Sequence, residues 1–124
     1  MILVDKKYIL LAEDDKFFAK VFSLKLEKSG HEVKVAQNGQ ELIKFAKERK
    51  PDLILLDLIM PVMDGFEALS ELKKDPELKN IKVIVMSNLE QKEDITKTKD
   101  LGAAGYVSKV DTDSFASKVE GFLQ

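Results

Sequence analysis

Short apolar runs alternate with longer amphipathic stretches along the whole chain, and no other feature limits its folding so strongly. YILLA at 8–12 reads as a first strand. DLILL at 52–56, after Pro51, is a continuous apolar run of the kind found in a central parallel strand covered on both faces. IKVIVM at 81–86 reads as a fourth strand and residues 104–107 as a short fifth. Val33-Lys34-Val35 alternates apolar and polar, which suits a strand with one wetter face at the edge of a sheet. Between these runs the period lengthens to that of a helix. Phe18, Val21, Phe22 and Leu26 form one stripe, and Ser29-Gly30 closes that helix. Leu42, Ile43 and Ala46 form a second stripe, with Asn38 and Glu41 as a cap pair. Phe66, Leu69 and Leu72 form a third, capped by Asp64 and Glu67 and broken by Asp75-Pro76. A polar helix over about 90–101 ends at Gly102, and Phe115, Val119, Phe122 and Leu123 supply the last apolar face. Five strands alternating with five helices argue for an α/β fold, a parallel sheet sandwiched between helices.

Composition narrows the function. The 124 residues suit one domain, 1–124, and 44% hydrophobic with 34% charged residues suits an ordinary core. Twenty Lys and Arg against 22 Asp and Glu leave no basic footprint for direct nucleic-acid binding. No basic amphipathic stretch favours a membrane surface, and the apolar runs are far shorter than the ~20 residues that span a bilayer. Cys is absent, which excludes disulfides and thiolate chemistry. MILVDKKYILL has neither the basic start nor the cleavage-like site of a signal peptide, so a cytoplasmic location is expected.

In open α/β sheets ligands bind beyond the carboxyl ends of the strands. Here the first strand ends in Glu13-Asp14-Asp15, the third in Asp57, the fourth in Ser87 and the fifth in Ser108-Lys109. Carboxylates held together repel one another, and a hard divalent cation such as Mg²⁺, with water completing its shell, relieves that repulsion. Lys109 and Ser87 add an ammonium and a hydroxyl, so the edge can hold a phosphoryl group with Asp57 as carboxylate nucleophile. Each residue also has a plainer reading. Asp15 fits as a helix cap, Ser87 as a turn residue, Lys109 as a solvated lysine and Tyr106 as a half-buried aromatic. Convergence of four strand ends on one reaction favours the chemical reading.

Over essentially its whole length the chain resembles the receiver domains of two-component response regulators, through YILLAEDD, DLILLDLIMPVMDG, VIVMSN and LGAAGYVSKV. The resemblance implies a doubly wound, flavodoxin-like (βα)5 fold with strand order 2-1-3-4-5. It implies Asp57 as phospho-acceptor, and Mg²⁺ held by Glu13, Asp14, Asp57 and the backbone carbonyl of Ile59. Ser87 and Tyr106 then match the switch positions and Lys109 the phosphate-binding lysine. The implied function is a stand-alone receiver with no output domain. It would take its phosphoryl group from a sensor histidine kinase or phosphotransfer protein and would alter the surface of the fourth helix, fifth strand and fifth helix for a downstream protein partner. Such a chain catalyses only its own phosphorylation and dephosphorylation.

Three positions depart from the family pattern. Val110 stands where proline usually follows the lysine. A cis bond before a residue other than proline costs ~2.5–4 kcal/mol, so Lys109–Val110 is expected to be trans. Ile59 and Leu89 are apolar where polar groups can orient an attacking water, so slow loss of the phosphoryl group is expected. Elsewhere, His31 reads as a surface histidine, Phe17, off its helix stripe, as either an exposed ring near the strand ends or a part-buried one, and Glu90, Lys92, Glu93, Lys97 and Lys99 as a solvated helix face. Two other functions compete: an unphosphorylated binding module, and an aspartyl-phosphate phosphatase of the haloacid-dehalogenase kind. The second would want an Asp two residues after Asp57, where Ile59 stands.

Overall fold

The apolar runs form one five-stranded parallel sheet in the order β2-β1-β3-β4-β5, seen in a computed structural model that describes residues 5–88 and 92–124, with backbone alone for Lys92 and Glu93. The strands are β1 (Tyr8–Ala12), β2 (Glu32–Ala36), β3 (Leu53–Asp57), β4 (Val83–Ser87) and β5 (Gly105–Ser108). The helices are α1 (Lys16–Lys28), α2 (Gly39–Glu48), α3 (Gly65–Lys74), α4 (Lys92–Asp100) and α5 (Phe115–Leu123). The fold is the doubly wound, flavodoxin-like arrangement that the sequence leads one to expect. β2 lies at the edge, as its alternating residues predict.

Side chains alternate between the two faces of the sheet and so build two cores. Leu10, Ile54, Leu56 and Val85 pack with Leu42 and Ala46 of α2 and with Leu69 and Leu72 of α3. Ile9, Leu11, Leu55 and Met86 pack on the other face with Phe22 and Leu26 of α1 and with Phe115 and Val119 of α5. The three central strands are buried at every position, and for that reason their sequences are continuously apolar.

The helix starts follow the capping residues. Asp15 accepts from the N–H groups of Phe17 and Phe18, Asn38 from Glu41, and Asp64 from Glu67. Glu41 in turn accepts from the Gln37 N–H at 2.9 Å. Gly30 and Gly102 close α1 and α4 with φ of 95° and 108°, a region where only glycine is unstrained.

His31 corrects the sequence reading. It is buried, not on the surface: Nδ1 accepts the Lys7 N–H at 3.1 Å and Nε2 contacts the Glu120 carboxylate. The imidazole thereby ties the start of β1 to α5, a contact between residues 89 apart in sequence that no local pattern encodes. Phe17, for which the sequence leaves exposure and partial burial open, is 70% exposed. No described helix is long and apolar enough to cross a membrane.

Candidate functional site

The parallel ladders bring the strand ends to one edge. The Glu13 N–H donates to Ala36 O at 2.9 Å, which extends the β1–β2 pairing by one residue and fixes the Glu13 backbone. Asp57 is the last residue of β3, in register with Met86, and Ser87 ends β4 opposite Ser108. The Lys109 N–H donates to Ser87 O at 3.2 Å, carrying the β4–β5 ladder up to the lysine. Asp14 follows Glu13 at an exposed position, and Asp15 is occupied in capping α1.

Glu13, Asp14 and Asp57 offer carboxylate oxygens that all lie within 4.8 Å of one another. Glu13 is 1% exposed and Asp57 5%, so two of the three acids are almost wholly out of water. Lys109 Nζ lies 3.2 Å from Asp57 Oδ2 and contacts Glu13 Oε1. Burial, followed by the neighbouring Asp57, pushes the Glu13 carboxyl up to about 8 against the pull of Lys109. Burial opposes the Lys109 ammonium as well, but the two carboxylates outweigh it and the lysine pKa is raised. One ammonium thus faces three acids, and Glu13 Oε2 is buried with no hydrogen-bond partner. An oxygen-only donor set with excess negative charge and an orphaned buried carboxylate oxygen fits a hard divalent cation, not zinc. Glu13, Asp14 and Asp57 are the residues that would hold it.

The β3–α3 loop closes the cleft from one side. Ile59 donates its N–H to Asp57 Oδ1 at 3.3 Å and leaves its side chain 66% exposed. The Gly65 N–H donates to Leu58 O at 2.9 Å. A Cβ on Gly65 would lie 2.4 Å from the Asp57 carbonyl oxygen, so α3 can start where it does only because residue 65 has no side chain. Val62, at the tip of the loop, has φ 69°, a left-handed conformation unfavourable for a β-branched residue, and its side chain is 71% exposed.

The cleft has a volume of about 340 Å³ and is lined by Asp14, Asp57, Ile59, Ser87, Lys109 and Phe18, among others. Tyr106 stands behind β4, half-buried, and its hydroxyl donates to Ser87 O at 2.9 Å. The peptide bond between Lys109 and Val110 is trans, as expected. Leu89 and Glu90 lie outside the described residues, as do the side chains of Lys92 and Glu93. Periodicity assigns Phe18 only to the buried stripe of α1. The structure also sets its ring 4.5 Å from Lys109 Nζ. The available signal was its position in the first turn after the Asp15 cap, where a helix still faces the strand ends.

A parallel sheet in this order, with acids, a hydroxyl and a lysine gathered at its carboxyl edge, defines a receiver domain. The family model described as "Response regulator receiver domain" matches residues 9–120, and the chain belongs to that family: it is a response-regulator receiver of two-component signalling. It is 34% identical over 116 residues to "Protein PilH" of Pseudomonas aeruginosa, a match covering 93% of this chain and 96% of that protein. It is similar to the solved Mn(2+)-bound form of response regulator Rcp1, with TM-score 0.84 and 31% identity, covering 94% of this chain and 93% of that one. It is also similar to the solved structure of the phosphorylated cyanobacterial phytochrome response regulator RcpA, with TM-score 0.82 and 34% identity, covering 95% and 91%.

Proposed function

We propose that residues 1–124 act as one receiver domain in which Asp57 accepts a phosphoryl group in a Mg²⁺-dependent reaction and thereby switches a protein-binding surface. The observation that carries this reading is the convergence on Asp57: a buried carboxylate at the end of the central strand, within 4.8 Å of two further acids and 3.2 Å from Lys109. The similarity to a Mn(2+)-bound regulator and to a phosphorylated one supports both halves of the reading.

Glu13, Asp14 and Asp57, with the backbone carbonyl of Ile59, hold the cation, which supplies positive charge against the incoming phosphoryl oxygens. An Asp57 carboxylate oxygen attacks phosphorus. The new P–O bond forms as the bond from phosphorus to the donor breaks, and the leaving group departs with that electron pair. Lys109, already 3.2 Å from Asp57, takes a phosphoryl oxygen, and the Ser87 hydroxyl donates to another. The donor is a sensor histidine kinase or a phosphotransfer protein, and the domain works in the cytoplasm.

The switch follows from what Ser87 must do. To reach the phosphoryl group it moves toward Asp57, and its carbonyl, which accepts from the Tyr106 hydroxyl, moves with it. The Tyr106 ring then turns inward, and the face formed by α4, β5 and α5 changes, including a groove of about 260 Å³ lined by Ile95, Thr98, Ala103 and Tyr106. A downstream protein reads that face.

Intact mass after incubation with acetyl phosphate tests the chemistry. One added phosphoryl group is expected, and it should require both Mg²⁺ and Asp57, vanishing in Asp57→Asn. An adduct that persists in Asp57→Asn would place the acceptor elsewhere, and no adduct under any condition would favour a binding module that is not phosphorylated.

A further inference from the structure

We propose that Phe18 is a positioning residue for Lys109: its ring face holds the ammonium over the cleft while the lysine exchanges carboxylate partners for phosphoryl oxygens. The inference rests on the reading of Asp57 as phospho-acceptor and concerns a residue for which that reading has no use.

Lys109 is 6% exposed, so its charge must be balanced by protein groups. Three surround Nζ: Glu13, Asp57 at 3.2 Å, and the Phe18 ring at 4.5 Å from its centroid. The reaction draws on the two acids. Asp57 becomes the acyl phosphate and Glu13 is committed to the cation. Phe18 alone of the three is the same before and after. The negative face of an aromatic ring attracts an ammonium without fixing where its protons point. The lysine can therefore swivel from carboxylate to phosphoryl oxygen without leaving the ring.

The ring is itself held. Phe18 stacks on Phe22 with centroids 5.8 Å apart and planes inclined by 14°, and Phe22 stacks on Phe115 at 4.4 Å and 23°. Phe22 and Phe115 are both fully buried, so the column runs from the cleft through α1 to α5 and is rooted in the core. Phe17 adds an edge contact at 5.6 Å. A leucine at position 18 would fill the apolar stripe as well, but it would offer the ammonium nothing. The need is greater in this chain because Val110, 66% exposed, follows Lys109 in place of a ring-locked proline. The main chain beyond the lysine is thus less constrained, and the side chain takes its position from Phe18.

Phe18→Leu and Phe18→Tyr in the full chain test this, with Phe18→Met as a second apolar variant should the leucine protein fail to fold. Two readouts are taken on folded protein. The Lys109 methylene protons should show upfield ring-current shifts in the wild type and in Phe18→Tyr, and should lose them in Phe18→Leu. The rate of phosphoryl incorporation from acetyl phosphate at saturating Mg²⁺ should fall about tenfold in Phe18→Leu, the loss expected for one desolvated cation–π contact, and recover in Phe18→Tyr. A wild-type rate in folded Phe18→Leu, or a Lys109 spectrum that does not respond to the substitution, would overturn the proposal. If the wild type takes no phosphoryl group, the acceptor reading fails, and the ring-current arm by itself then decides whether Phe18 positions Lys109.

Discussion

At the scale of single residues the site is a problem in charge. Glu13 carries an ordinary carboxyl value of 4.5 when unfolded and one of about 8 in the fold. Between those values the folded domain holds a proton that the unfolded chain has lost, so without a metal its stability falls as pH rises through that window. Glu13→Gln removes the burial cost. In a metal chelator, urea midpoints should decline from about pH 5 to about pH 8 for the wild type and should stay level for Glu13→Gln, with the variant the more stable at the upper end. An equal decline in both proteins would mean that another group sets the dependence. Ile59 poses the opposite question, since its side chain lines the cleft with Asp57 and has no polar atom of its own to orient water. On the acceptor reading, Ile59→Asn should shorten the lifetime of the acyl phosphate by about tenfold, followed by loss of the added mass over time. An unchanged lifetime would reject that role.

Among the elements, α1 joins structure to site. It is capped by Asp15, which directly follows Glu13 and Asp14, and it buries Phe22 between the sheet and Phe115. Phe22→Ala should cost about 3–5 kcal/mol in chemical denaturation, because the cavity would open in the middle of an aromatic column that cannot collapse around it. Almost every element was legible in the sequence, because periods of two and of 3.6 and the caps Asp15, Asn38 and Asp64 are local signals. The acids, Ser87 and Lys109 were legible as well, since each closes a strand and strand ends share an edge. What escaped was contact between segments distant in sequence. His31 meets Glu120, and Phe18 meets Lys109, through packing that periodicity does not contain. Val62 escaped for a different reason: a β-branched residue carries no sign that its φ will be positive.

For the molecule as a whole, two cores lie back to back on one sheet and the chemistry is confined to one edge. A cation that binds only the folded state stabilises all of it by mass action, by about 2.7 kcal/mol at a concentration of about 100 times its Kd. Mg²⁺ should therefore raise the melting temperature, and Asp14→Asn, at an exposed position with little structural work to do, should abolish the rise while leaving the metal-free melt nearly unchanged. A rise that survives Asp14→Asn would put the cation elsewhere. The glycine at the start of α3 has a further consequence. With no room for even a methyl group between Gly65 and the Asp57 carbonyl, β3 and α3 behave as an anvil. Whatever lands on Asp57 cannot push that side back. On the acceptor reading, displacement is taken up opposite, by β4 and β5, and the direction of the response is set by a missing carbon atom before any ligand arrives.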